Sequence, residues 1–327
     1  MSSTRSRILA AAGAAVLALG LAACSGGADA ASGDEDELTL NVQYSIFNGP
    51  LNRAAAADLQ PDGVTVNYVD GTGIDVGQGL TAGTFDLAQW GEVGPVTTYS
   101  NGGTDIRVVG STGENGQAHV ILVGPDSTAT SIADLEGGTT VFSRSTNSYI
   151  QFLKAIDDAG LEERDFTILE SVPDSTAALL SGQVDFVISI EPVASSLIET
   201  KGLRELANGE GYVDNYYPLV TNQATLDDPE KSEALEIYLT ALRDLFDEQA
   251  ANPDEEAEQV AALNEVSVDV ARTAGEKVSD EFIPIDDAYI EKERALVEFF
   301  VETGAFDGFP DGFEEIYDDR FNEILAG

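Results

Sequence analysis

Apolar and polar positions alternate through "LTLNVQY", residues 38–44, the pattern of a strand with one buried face. A helix-like run, "PLNRAAAADL", follows, then a second strand-like run, "GVTVNYV". The rhythm continues with a short helix over "VGQGLTAG" and strands over "FDLAQWG", "DIRVVGS" and "AHVILVG". "TTVFS", "FTILES" and "VDFVISI" predict three more strands, separated by helices over "SYIQFLKAIDDAG" and "STAALLSG". Strands alternating with helices as far as Tyr217 predict an α/β fold. After Pro229 the pattern turns helical. "PEKSEALEIYLTALRDLFDEQAAN" and "PDEEAEQVAALNEVSVDVARTAG" each read as an amphipathic helix, with more helix from Asp286 to the end.

One internal echo stands out. "LTAGTFDLAQWGEVGP" and "LLSGQVDFVISIEPVA" match Gly83, Asp86 and Glu92 to Gly182, Asp185 and Glu191. Each copy reads as helix, tight Gly turn, buried strand, then a carboxylate where a Pro-started helix begins. The repeated order predicts two duplicated lobes. Ligands of open α/β sheets bind outside the carboxyl ends of the strands, so facing lobes share one cleft and can hinge shut around a small molecule.

The N-terminus has a different pattern. Arg5 and Arg7 precede an apolar stretch from Ile8 to Leu21, shorter than the roughly 20 residues of a membrane span. A charged start, an apolar run and small residues at Ala22 and Ala23 predict a signal peptide over 1–23. "LAAC" resembles the lipobox of bacterial lipoproteins, which makes Cys24, the sole cysteine, the expected lipid attachment point. Residues 24–37 lack apolar periodicity, end in acids and read as a disordered linker. The expected domains are then lobe I from 38–116, lobe II from 117–215, and 216–327 returning to lobe I with the C-terminal helices.

Charge and composition narrow the function. The formal net charge of −43 argues against nucleic acid and anionic lipid surfaces as partners. Hydrophobic content of 43% requires a real core beneath those acids. One cysteine permits no internal disulfide and no cysteine-based metal site. The single histidine, His119, sits inside "AHVILV" and reads as structural, which leaves no Ser-His-Asp or Cys-His constellation. Binding without chemistry, cofactor or metal is the expectation.

Longer segments carry a family resemblance. "AHVILVGPDSTATSIADLEGGTTVFSRSTNSYIQFLKAIDDAGL", "LTAGTFDLAQWGEVGP" and "LLSGQVDFVISIEP" resemble ABC-transporter substrate-binding proteins, in the branch for aliphatic sulfonates, taurine and nitrate. Thiamine-pyrimidine binders are near relatives. The resemblance implies a two-lobed periplasmic-binding-protein fold of type II, each lobe a mixed sheet flanked by helices. It also implies a monomer that delivers ligand to ABC permease and ATPase subunits, anchored on the outer face of the membrane or in the periplasm. A fungal enzyme branch uses a cysteine-rich motif that is absent here. Ile190 stands where many members carry Trp, and Arg144-Ser145 replaces a more usual Gly-Ser. The other readings are a nitrogen heterocycle as ligand, or an anchored adhesion or sensing protein on the same fold.

Candidate ligand contacts fall at strand ends. "FSRSTNSY" opens a helix with Ser145, Thr146 and Asn147, which suits an anion at a helix N-terminus and equally suits ordinary capping. Arg144 pairs either with a sulfonate or carboxylate, or with surface acids. Glu92 and Glu191 either face an amino-bearing ligand or are simply stabilised at helix starts. Ser45, Phe47 and Asn48 form the first strand-to-helix loop, Gln89 and Trp90 end another strand, and Tyr216 and Tyr217 lie where the chain returns between lobes.

Overall fold

The computed structural model describes residues 38–326, apart from 46–48, 104, 115, 143–145, 170–171, 173, 215 and 305. The expected signal peptide, Cys24 and linker, and the candidates Phe47, Asn48, Arg144 and Ser145, lie outside the described residues.

Eleven strands among the described residues form two composite sheets. They are β1 (Leu38–Tyr44), β2 (Val64–Asp70), β3 (Ala88–Gln89), β4 (Ile106–Glu114), β5 (His119–Val123), β6 (Thr139–Val141), β7 (Thr167–Leu169), β8 (Phe186–Ile190), β9 (Arg204–Asn208), β10 (Tyr216–Asn222) and β11 (Val278–Ile283). In lobe I, β2 runs parallel to β1, with Leu38 opposite Val64, and a parallel bridge from Val42 to Leu87 carries the sheet on to β3. Antiparallel pairing then joins β3 to β10, β10 to β4 and β4 to β11. In lobe II, β7 runs parallel to β6, and β5 pairs antiparallel with both β8 and β9. The Asp185 N–H donates to Thr139 O at 2.7 Å and ties β8 to β6. The expected α/β architecture with mixed sheets is present.

The internal echo has a physical basis. Gly83 and Gly182 both turn at positive φ, +69° and +75°. Three residues after each glycine, Asp86 Oδ2 accepts from Asn41 N and Asp185 Oδ2 accepts from Thr139 N, both at 2.7 Å. Asp86 therefore clamps β3 onto β1, and Asp185 clamps β8 onto β6.

Two connections pass between the sheets, from β4 to β5 and from β9 to β10. They touch where the Gly209 N–H donates to Gly116 O at 2.9 Å. A Cβ on Gly116 would overlap the Gly209 carbonyl, so the crossing requires glycine.

Helices close both cores. The helix Pro229–Ala251 lays Leu235, Tyr238, Leu239 and Leu242 over Leu40 and Val42 of β1. Phe152 and Phe186 anchor lobe II with Ile121 and Val123. The helix Asp287–Glu302 serves both sides, giving Tyr289 and Val297 to one cluster and Phe300 to the lobe II cluster. Where one helix is expected over "PDEEAEQVAALNEVSVDVARTAG", there are two, Pro253–Asn264 and Val268–Gly275. Glu265 ends the first in a left-handed conformation, and Ser267 caps the second through the Val270 amide at 3.2 Å. Among the described residues no helix is long and apolar enough to cross a membrane.

Candidate functional site

A cavity of about 430 Å³ lies between the carboxyl ends of strands from both lobes. Lobe I supplies Gln43 and Ser45 from the end of β1, residues 71–74 and Val76 after β2, and Gln89 at the end of β3 with Trp90, Gly91, Val93 and Gly94 after it. Lobe II supplies His119, Ile190 and Thr146 to Ser148, and Tyr217 of β10 completes the wall. Among the described lining residues none is Asp, Glu, Lys or Arg.

Backbone geometry holds the polar groups in place. Gln43 Oε1 accepts from the Gln89 amide at 3.1 Å, and Gln89 Oε1 accepts from the Leu51 amide at 3.2 Å. The Trp90 amide donates to Pro218 O at 3.0 Å, which fixes this residue against β10. Its indole rests on Gly94, where a Cβ would collide with the ring, so the glycine seats the only tryptophan.

Two helix starts open onto the cavity. The helix Asn147–Asp158 begins with Thr146 as an extended N-cap that makes no side-chain capping bond. The helix Val93–Ser100 begins beside Gly91 and likewise has no side-chain cap. Amides at these helix starts favour an anionic or strongly hydrogen-bonding ligand in a pocket whose described lining carries no formal charge.

Of the sequence candidates, Ser45, Gln89, Trp90, Thr146 and Asn147 line this cavity. Glu92, Glu191 and Tyr216 do not, and each has a structural partner. Glu92 is buried on the far side, in a second hollow of about 320 Å³, where its Oε2 accepts from the Tyr216 amide at 3.1 Å. Burial pushes its carboxyl up to about 7, against the lowering effect of that amide. Glu191 is fully buried and accepts from Ser195 N at 3.0 Å, Ser195 Oγ at 2.9 Å and Lys277 Nζ at 2.6 Å. Tyr216 accepts from Lys292 Nζ at 2.7 Å and stacks on Tyr289 at 5.1 Å.

Sequence reasoning missed Gln43 and the turn residues 71–74 and Val76, and read His119 as structural; of the two tyrosines it named, Tyr217 lines the cavity and Tyr216 does not. Gln43 and the turn carry a usable signal, because both sit at carboxyl ends of predicted strands. His119 is buried, as an apolar strand predicts, and it also borders the cavity. No group of three or more His, Cys, Asp or Glu that could hold a metal occurs among the described residues.

Known proteins match this arrangement. A curated protein of Escherichia coli K12, named for binding aliphatic sulfonates, is 31% identical over 133 residues, 40% of this chain and 41% of that protein. The alkanesulfonate-binding protein SsuA of Xanthomonas axonopodis pv. citri, solved with MOPS, superposes with a TM-score of 0.72 at 20% identity, covering 82% of this chain and 93% of that one. The periplasmic aliphatic sulphonate-binding protein SsuA of Escherichia coli gives 0.73 at 18%, covering 86% and 92%. A desulfurization enzyme, DszB, gives 0.63 at 17%, covering 87% and 97%, so the two-lobed periplasmic-binding fold does not by itself decide between binding and chemistry. The family model described as "NMT1/THI5 like" matches residues 59–256, more than half of the chain. The protein belongs to the NMT1/THI5-like family.

Proposed function

We propose that this protein is the lipid-anchored solute-binding component of an ABC importer, capturing a sulfonate or related small anion by closure of its two lobes. The observation that carries this reading is the pair of helix N-termini, one per lobe, that open onto one neutral cavity. A tetrahedral anionic head is stabilised there by amides and hydroxyls, with no formal counter-charge among the described lining residues. Ser45, Gln89, Trp90, Thr146 and Asn147 are the proposed contacts, with Arg144 and Ser145 immediately before the second helix joining them. Cys24 anchors the mature chain at the outer membrane face, where it works as a monomer with a permease and an ATPase.

No step of bond-making is assigned to the site. The single histidine borders the cavity, and the described lining includes no cysteine and no charged side chain. The second reading, a nitrogen heterocycle, rests on the amides of Gln43, Gln89 and Asn147 at the cavity wall. A thermal-shift panel of sulfonates, nitrate and pyrimidines, followed by calorimetry, tests both. Ligands that bind only the native state raise its apparent stability. Stabilisation by sulfonates supports the first reading; stabilisation by pyrimidines alone replaces it with the second.

A further inference from the structure

The cavity is not polar all round. Beside polar groups from both lobes, its lining includes an apolar stretch of wall on the lobe I side, Ile74, Val76 and Trp90. Ile74 leaves 41% of its surface exposed at this wall, one of three large hydrophobic residues so exposed among those described. The turn that carries it is held at both ends. The Ile74 amide donates to Gly71 O at 3.0 Å, the Thr72 amide to Asp70 Oδ1 at 2.9 Å and the Gln78 amide to Asp75 Oδ1 at 2.8 Å. An apolar side chain held in the open beside a binding cavity has water to lose when a ligand covers it.

Size points the same way. At roughly 30 Å³ per water-sized group, a cavity of this volume holds about fourteen such groups, about twice the non-hydrogen atoms of a two-carbon sulfonate. A head group alone would leave the apolar wall wet.

We propose that the site takes an organosulfonate with a ring-sized apolar body, which lies against Trp90 and Ile74, and that Ile74 is a specificity-determining residue. This rests on the sulfonate reading above and adds the body to the head. The head keeps its place at the helix starts, and the ring covers the indole and the exposed isoleucine, where aromatic contact adds to area burial.

Calorimetry with methanesulfonate and benzenesulfonate on wild-type protein and Ile74→Ser tests it. Benzenesulfonate is expected to bind at least about thirtyfold more tightly than methanesulfonate, from burial of the ring. Ile74→Ser should weaken benzenesulfonate by about tenfold and leave methanesulfonate within about twofold, because only the ring touches that wall. Ile74 is outside the core, so the variant should fold, which an unchanged unfolding midpoint would establish. Emission from Trp90, the sole tryptophan, should change with benzenesulfonate far more than with methanesulfonate. Equal affinity for the two probes, or an equal effect of Ile74→Ser on both, overturns the inference and leaves sulfonate capture standing. Binding of neither probe overturns sulfonate capture, and this inference with it.

Discussion

Lys277 Nζ lies 2.6 Å from Glu191 Oε1, and this ion pair joins the two lobes. Glu191 follows β8 of lobe II, and Lys277 leads into β11 of lobe I. Beside it, Ser267 donates to Glu199 Oε2 at 3.1 Å, so a second contact bridges the same flank. Lys277→Ala leaves the buried Glu191 carboxylate with Ser195 as its remaining partner among the described residues. Breaking a buried pair from one side costs about 3 kcal/mol or more. Urea unfolding should show that loss in Lys277→Ala, with more than half of it recovered when Glu191→Gln is added. Equal midpoints for wild type and Lys277→Ala would remove the pair from any account of stability.

Glu92 gives stability a specific pH dependence. Its carboxyl is raised from the ordinary 4.5 to about 7 by burial, with Glu293 buried nearby and Asp214, Lys154 and Lys292 around the same hollow. Between those two values the folded state holds a proton that the unfolded chain has released. Its contribution is therefore fully present below pH 4.5 and is lost as pH rises through about 7. Glu92→Gln, which cannot ionise, should flatten the decline in unfolding free energy across this window relative to wild type. Parallel profiles for the two proteins would show that Glu92 titrates normally.

The glycine crossing between lobes admits no side chain. Gly116→Ala should lower stability by about 2 kcal/mol, because the new methyl meets backbone that cannot rotate away. Gly124→Ala is the control. Nothing lies within 4 Å of its Cβ position, and the change should be neutral or slightly stabilising. A thermal melt of each variant gives the comparison, and equal midpoints would mean that the crossing relaxes at no cost.

Tyr216 and Tyr217 separate binding from support. Tyr217→Phe removes a hydroxyl from a residue that lines the cavity and should weaken the identified ligand by about tenfold if that group is bonded to it. Tyr216→Phe removes the acceptor for Lys292 and should shift the unfolding midpoint without altering affinity. Calorimetry beside denaturant unfolding reads both, and the reverse assignment would place the ligand on the other face of β10.

Cys24 is tested by fractionation. Wild-type protein should sediment with membranes and Cys24→Ala should not, since lasting attachment requires more than one acyl chain. Soluble wild-type protein with an unmodified thiol would exclude the anchor.

These residues also show what the sequence made legible. The period-two pattern of "LTLNVQY" specified β1, and the shared Gly and Asp positions marked the two strands that an aspartate clamps in each lobe. Local patterns carry such features because their physics is local. Which of two adjacent tyrosines meets the cavity is a question of register, and register is set by β4, more than 100 positions back along the chain. The choice between the two readings of Glu191 was not legible because its partner, Lys277, is 86 residues away in sequence. The strand β11 was missed because its sequence, "VSDEFI", is half polar and pairs with β4 over only part of its length.

The helix Asp287–Glu302, shared between two cores, has a consequence for biosynthesis. Lobe I cannot complete its sheet before β10 and β11 are made, and neither hydrophobic cluster closes before Tyr289, Val297 and Phe300 emerge from the ribosome. Completing these two cores in the order of synthesis, the usual course for separate domains, is therefore denied to this chain. Both stay open until the last helices exist, a delay that suits a polypeptide threaded across a membrane before it folds.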